Sequence, residues 1–428
     1  MSKISTVNSA TQPKRNIVLH EDWAVVLLGF IIITILLSGF SIASPSYNWN
    51  NGHEFGDKVL ESSNLIKILN QFLVTIIIAL IGVYLTNKSI KSLLLAFPGI
   101  YLLSVFALIL AGNSQMKSLN LEAVIFSLGI GLLVSNLINL PQWFRSILST
   151  ELFVKIGLVL LGTGVIFGDI LKAGGLGLIQ ALVVVVSVWY FAFWICKKLK
   201  LDEELSLMIS SAVSICGVSA AIATAGAIKG DSKKLSYVIS LVLITAIPMM
   251  IVMPYMANYM GLSQEVTGAW LGGSIDTTGA VVASDSLVGE TALKISTIVK
   301  FSQNVLLGVA AFVISIYWTY SNNPQSARRN EKQTLAVIWE RFPKFVLGFI
   351  AASLIFSFLL NTQATNAVKD SMKSMQTLWF VLAFTSIGLE TKFSDLINQS
   401  NRKPMYAFVI AQAFNIVITL IIALLLFK

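Results

Sequence analysis

Apolar runs of about eighteen residues or more recur along this chain from Asp22 to the C-terminus, and each is long enough to cross roughly 30 Å of hydrocarbon. No other feature restricts the fold as tightly. A chain in lipid must satisfy its backbone polar groups internally, as helices or as a closed barrel. The strand alternation of a barrel is absent, so the sequence predicts an all-α polytopic membrane protein. Composition agrees: of 428 residues, 56% are hydrophobic and 12% charged.

Hydropathy predicts about thirteen transmembrane helices, near 23–43, 66–87, 92–111, 121–138, 152–171, 174–196, 205–228, 234–258, 264–286, 294–320, 340–361, 374–391 and 404–427. Residues 1–22 form a polar N-terminal tail, and the first apolar run lacks a small-residue cleavage site, so it reads as a retained span. Residues 23–120 hold additional N-terminal helices with an exposed polar loop at 44–65 containing His53, Glu54, Asp57 and Glu61. Ten spans remain, and they divide into 121–260 and 261–428. An odd number of spans per unit makes the second unit an inverted copy of the first, a 5+5 inverted repeat. The fourth span of each half is polar at its middle, SAVSICGVSAAIATAG at 211–226 and FTSIGLET at 384–391. Paired weak segments of this kind predict two broken helices and a binding site between them.

The net charge of +9 would suggest nucleic acid in a soluble protein. Here the basic residues lie mostly in loops, which argues for topology and anionic lipid headgroups instead, with no nucleic-acid partner. Lysine and arginine bias favours a cytoplasmic N-terminus, with Lys88 and Lys91, Lys197, Lys198 and Lys200, Arg328, Arg329 and Lys332, and Lys392, Arg402 and Lys403 on the same side. The basic run 229–234 lands outside and opposes that topology. Cys196 and Cys216 fall in or beside spans, which excludes a structural disulfide framework.

Three stretches carry candidate chemistry. In the first, Gly217 permits backbone angles closed to other residues, and Ser214, Cys216 and Ser219 supply small polar groups. A half-helix beginning near Val218 would aim free N–H groups at the break, which suits an anion. Small residues also serve tight helix contacts, and that alternative stays open. Thr385, Ser386 and Gly388 are the matching set in the second half. The next stretch is GGSIDTTGAVVAS at 272–284. Asp276 sits at depth beside Thr277 and Thr278, as a cation or proton ligand, a gate, or half of an ion pair with Lys300. In the third, Lys300, Gln303 and Asn304 share one helical face. They either line a site or, for the lysine, snorkel toward headgroups. Lys155, Asn136 and Lys344 either face the interior or, as is commoner, are end-of-helix or snorkelling residues, and Glu390 reads as either a span end or a ligand.

No GxxxxGK[ST], HExxH or paired-cysteine motif occurs, and both histidines, His20 and His53, lie near the N-terminus. That pattern predicts neither an enzyme nor a metal or organic cofactor, with bound Na+ the one ion allowed for.

The stretches SICGVSAAIATAGAIKGD, GGSIDTTGAVVAS, ETALKISTIVK and FVLGF followed by TSIGLETKFSDL resemble the YeiH-type family, labelled sulfate exporters, from about Leu121 to the C-terminus. The resemblance implies an inverted-repeat secondary transporter akin to bile-acid symporters and sodium/proton antiporters. Two broken helices would cross near Cys216–Gly217 and Ser386–Gly388, and a core bundle would move against a panel. The chain departs from the family where it has Asp276–Thr277 in place of a histidine-acid pair, and Gln303 in place of an arginine. Losing that arginine removes a bidentate oxyanion clamp, while Asp276 without histidine favours cation coupling.

The expectation is a secondary active transporter in a bacterial plasma (inner) membrane. Its solute is a small anion, sulfate or an organosulfonate or carboxylate, coupled to Na+ or H+. The alternative is a cation/proton antiporter exchanging on Asp276. A channel would need a ring of like charges that a single chain lacks. Membrane lipids are the other expected partners, and a homodimer is left open.

Overall fold

The computed structural model describes residues 19–39, 42–118, 123–145, 147–228, 230–322, 343–391 and 402–428. Residues 1–18 of the expected tail, and the loop carrying Arg328, Arg329 and Lys332, lie outside the described residues. So does Lys392.

Regular structure among the described residues is helical, apart from an isolated bridge between Trp49 and Asn113. The longer helices are α1 (Glu21–Leu37), α2 (Ser62–Leu85), α3 (Ile90–Ala111), α4 (Ala123–Leu137), α5 (Thr150–Gly162), α6 (Phe167–Lys198), α7 (Glu203–Ser211), α8 (Val218–Ile228), α9 (Ser232–Tyr259), α10 (Gln264–Ser274), α11 (Thr278–Ser286), α12 (Glu290–Asn322), α13 (Phe345–Leu354), α14 (Thr362–Glu390) and α15 (Lys403–Leu426). Every expected apolar segment is covered by one of these, or by a pair. Among the described residues, five helices are long and apolar enough on their own to cross a membrane. The 44–65 loop is short and mostly exposed. Asn64 fixes it by accepting from Ser46 N and donating to the Ser46 and Val59 carbonyls.

The expected span 152–171 ends early, at Gly162, with its last residues already in α6, and two others turn back on themselves. Helix α7 winds into a π-helical turn, Ala212–Cys216, and stops at Gly217, whose φ of +58° and ψ of −112° suit only glycine. Helix α8 then runs back the way α7 came. Lys234, at the start of α9, lies 2.7 Å from Asp202 and 3.1 Å from Glu204, so the two ends of the α7–α8 segment meet. The segment is a hairpin with its tip buried. Its partner is α10–α11. A Cβ on Gly268 would fall 2.5 Å from the Ala292 carbonyl, and one on Gly272 would fall 2.6 Å from that of Ser296. Four residues along α10 match four along α12, so these helices run parallel and α11 must turn back between them. Helix α9, of 28 residues, spans about 42 Å from the base of one hairpin to the base of the other. The hairpins therefore enter the bundle from opposite ends.

This geometry changes two expectations. Lys229 lies outside the described residues, and residues 230–234 sit at the hairpin base beside the end that carries Lys197, Lys198 and Lys200, because α8 returns to the end that α7 left. The second interruption lies at Ile275–Thr277, in the first element after residue 260, and not at Ser386–Gly388. Helix α14 continues without a break through Thr385, Ser386 and Gly388. Its glycine serves packing: a Cβ on Gly388 would sit 2.5 Å from the Leu128 carbonyl, on α4. The hydroxyls need no break either. Thr385 and Ser386 donate back to Val381 and Leu382, and Thr385 Oγ1 lies 2.9 Å from Ser104 Oγ on α3.

Ion pairs and hydrogen bonds mark the ends of the bundle. Glu290, at the base of the second hairpin, bridges Lys373 at 2.7 Å and Lys294 at 3.0 Å. These two ammonium groups hold its carboxyl down to about 2. At the other end of α14, Glu390 accepts from Thr150 at 2.8 Å.

Candidate functional site

The hairpin tips meet deep inside the bundle. A Cβ on Gly217 would come within 3.1 Å of the Asp276 Cβ and 2.7 Å of Val242 Cγ1. Glycine is required there by its dihedrals and by this approach alike.

Interrupting a helix orphans the carbonyls of its last turn, and here they have named donors. Lys300 Nζ donates to Ile215 O at 3.0 Å, to Ile275 O at 2.8 Å and to Gln303 Oε1 at 3.0 Å. Gln303 Nε2 donates to Gly273 O at 2.9 Å. Asn415 Nδ2 reaches Val213 O at 3.0 Å and Ser274 O at 3.2 Å, and Gln412 Nε2 reaches Ser274 O at 2.8 Å. The ammonium of Lys300 thus lies between the negative ends of α7 and α10, with all three protons used. Its side chain is 1% exposed, so snorkelling is excluded.

Asp276 is buried in the same place, and neither carboxylate oxygen has a hydrogen-bond partner. Its interaction with Lys300 is electrostatic. Ser274 Oγ and Asn304 Oδ1 are likewise buried and unpartnered.

On the far side of the tips the polarity reverses. Helices α8 and α11 begin there, and a cavity of about 210 Å³ is lined by Cys216, Val218, Ser219, Thr277, Thr278 and Asn304. Thr277 Oγ1 caps α11 by accepting from Ala280 N at 3.2 Å, and Asn304 Nδ2 lies 3.5 Å from Thr278 Oγ1. The remaining N–H groups of both first turns have no intrahelical acceptor. Asp22, Glu151 and Lys155 line the same cavity. Lys155 Nζ lies 3.0 Å from Asp22 Oδ1, 3.4 Å from Glu21 and 3.6 Å from Glu151.

The structure therefore gathers Cys216, Gly217, Ser219, Asp276, Thr277, Thr278, Lys300, Gln303 and Asn304 around the two tips. Ser214 is buried just before the first tip and donates to Ser210 O. Thr385, Ser386 and Gly388 lie apart, in the contacts of α14 with α3 and α4, although the neighbouring Ile387 touches Gly279. Sequence reasoning missed Gln412 and Asn415, whose spacing of three in an apolar helix puts two amides on one face. It left Lys155 between an interior place and a terminal one, and its side chain turns inward to an ion-pair cluster.

Fold and site define a polytopic α-helical membrane protein with two opposed helical hairpins whose tips meet at a polar centre. The chain belongs to the family described as conserved hypothetical protein 698, whose model matches residues 91–407. A UPF0324 membrane protein of Rhodopirellula baltica is 40% identical over 378 residues, 86% of this chain and 69% of its own. One from Nitratidesulfovibrio vulgaris is 37% identical over 81% of this chain and 62% of its own length, and one from Nitrosomonas europaea 26% identical over 90% and 91%. The chain thus spans about two thirds of the length of the first two relatives. No solved structure matches.

Proposed function

We propose that the protein is a secondary active transporter of a small anion, sulfate or an organosulfonate or carboxylate, coupled to Na+ or H+. The observation that carries this reading is the shared cavity at the beginnings of α8 and α11. Each helix start is equivalent to about +0.5 elementary charge and offers unpaired N–H groups. A void of about 210 Å³ holds a solute the size of about seven waters. Ser219, Thr277, Thr278 and Asn304 supply the neutral polar contacts, and Cys216 forms part of the wall. Lys300 and Gln303 act one step back, holding the tips in place. Asp276 takes the coupling cation, since its buried oxygens have no protein donor. Neither catalytic chemistry nor an organic cofactor enters the cycle.

Eleven crossings and two hairpins account for the thirteen apolar segments. Lys88, Lys91, Lys197, Lys198, Lys200, Lys234 and Lys403 all fall at the end where the first hairpin enters. The positive-inside rule makes that end, and the N-terminus with it, cytoplasmic in a bacterial inner membrane. Alternating access follows if the hairpins and the helices holding their tips move as a core against the rest.

Protection of Cys216 tests the anion site. In a Cys196→Ala background, saturating sulfate or an alkylsulfonate should slow maleimide labelling of Cys216, which lines the cavity. Labelling indifferent to every anion tried would refute the reading. The unpartnered Asp276 carboxylate favours a second one, a cation/proton antiporter, in which Na+ or pH alone alters labelling.

A further inference from the structure

The proposed function leaves the cavity's own cation unused. Lys300 has no proton to offer a solute, because three acceptors hold it. Lys155 does line the cavity, its side chain 16% exposed, and its nearest partner is the 9% exposed Asp22 at 3.0 Å. We propose that Lys155 is the cation that receives the anionic solute, and that Asp22 is its internal stand-in, displaced when the solute enters. This inference rests on the anion-transporter reading and adds a ligand and a gate to it.

The charge arrangement supports an exchange of partners. Glu21, Asp22 and Glu151 all lie within 3.6 Å of one ammonium, and Glu21 also reaches Lys88 at 3.2 Å, so three carboxylates share two lysines. An oxyanion held by the starts of α8 and α11 shares the same void with Lys155 and competes with Asp22 for that ammonium. Asp22 is not stranded by the exchange, because its other oxygen accepts from Lys344 N at 2.9 Å. Lys155 is neutralised both with and without solute, so the cavity never carries a bare buried ammonium. The exchange also removes the shortest ion pair between α1, which carries Asp22, and α5, which carries Lys155, leaving the longer one from Glu21 at 3.4 Å. Solute entry thereby loosens a contact between two helices, a gate worked by the solute's own charge.

The test is anion affinity of the purified full chain in detergent, by calorimetric titration of sulfate and of propionate. Removing a competitor and removing a ligand move affinity in opposite directions. Asp22→Asn should bind about tenfold tighter and Lys155→Gln about tenfold weaker, the scale of one charge-assisted contact. The double variant Asp22→Asn/Lys155→Gln, which leaves a neutral pair, should match Lys155→Gln and serves if the single lysine variant does not fold. Weaker binding in Asp22→Asn, or unchanged affinity in both variants, overturns the proposal and leaves the anion transporter standing. Failure of the wild type to bind either anion overturns both.

Discussion

Replacing Lys300 with methionine is the most informative perturbation of the tips. The ammonium donates three hydrogen bonds of 2.8–3.0 Å, two of them to the carbonyls that end the first halves of the two hairpins. Methionine fills similar space but leaves Ile215 O, Ile275 O and Gln303 Oε1 without that donor, at about 1–3 kcal/mol for each orphaned group. It also strips Asp276 of the cation whose charge acts on it, and breaking a buried charge pair from one side costs about 3–5 kcal/mol. Relief of the ammonium's own desolvation offsets part of this, so a net loss of about 3–5 kcal/mol is expected. Asp276→Asn in the same chain removes the stranded charge and should return about 2 kcal/mol, within the range for groups that share one buried network. Equilibrium unfolding of the single and double variants in mixed micelles measures the cycle. Losses that add to within about 0.5 kcal/mol would refute the argument that Lys300 and Asp276 hold the tips as one unit.

Three further outcomes follow from the same geometry. Gly217→Ala forces a Cβ into the tip contact at a φ of +58°, and should cost about 1–3 kcal/mol for the backbone alone and abolish solute protection of Cys216. Thr385→Val and Ser386→Ala remove hydroxyls that bond within α14 or to Ser104. They should leave anion affinity unchanged and lower stability by about 1 kcal/mol at most each, whereas a tenfold affinity loss would return this stretch to the site. Glu290 has its carboxyl held down to about 2, from 4.5, chiefly by Lys373. Its contribution is full above about 4.5 and fades as pH falls toward 2. Glu290→Gln should remove that slope from stability measured against pH, and by less than about 1 kcal/mol, since the pair is half exposed.

The helical class and the place of each apolar segment were legible because burial in lipid imposes long apolar runs. The hairpins were not, because hydropathy averages over a window and cannot separate a helix that breaks and continues from one that turns back. The α7–α8 stretch is as long as a span. Only the basic run 229–234, on the wrong side of a continuous-helix topology, pointed to a return. GGSIDTT, with its glycine pair and aspartate at depth, was legible as a candidate site inside a single span, not as the second interruption. Matching positions between two halves drew attention to FTSIGLET instead, where small residues serve the contact of α14 with α4 and α3. Asp276, Lys300, Gln303 and Asn304 were found because polar groups at depth need partners. That Lys300 spends its protons on carbonyls, while Lys155 faces the cavity, depends on how α5 and α12 pack.

The central claim is that the meeting point of two hairpins binds an anion and couples it to a cation through Asp276. Counterflow of labelled sulfate in proteoliposomes tests it most directly, for wild type and Asp276→Asn, with and without Na+ and proton gradients. The account predicts saturable exchange in both, driven by one of the gradients in the wild type and by neither in the variant. Absence of sulfate exchange alongside Asp276-dependent Na+ or proton flux would contradict it.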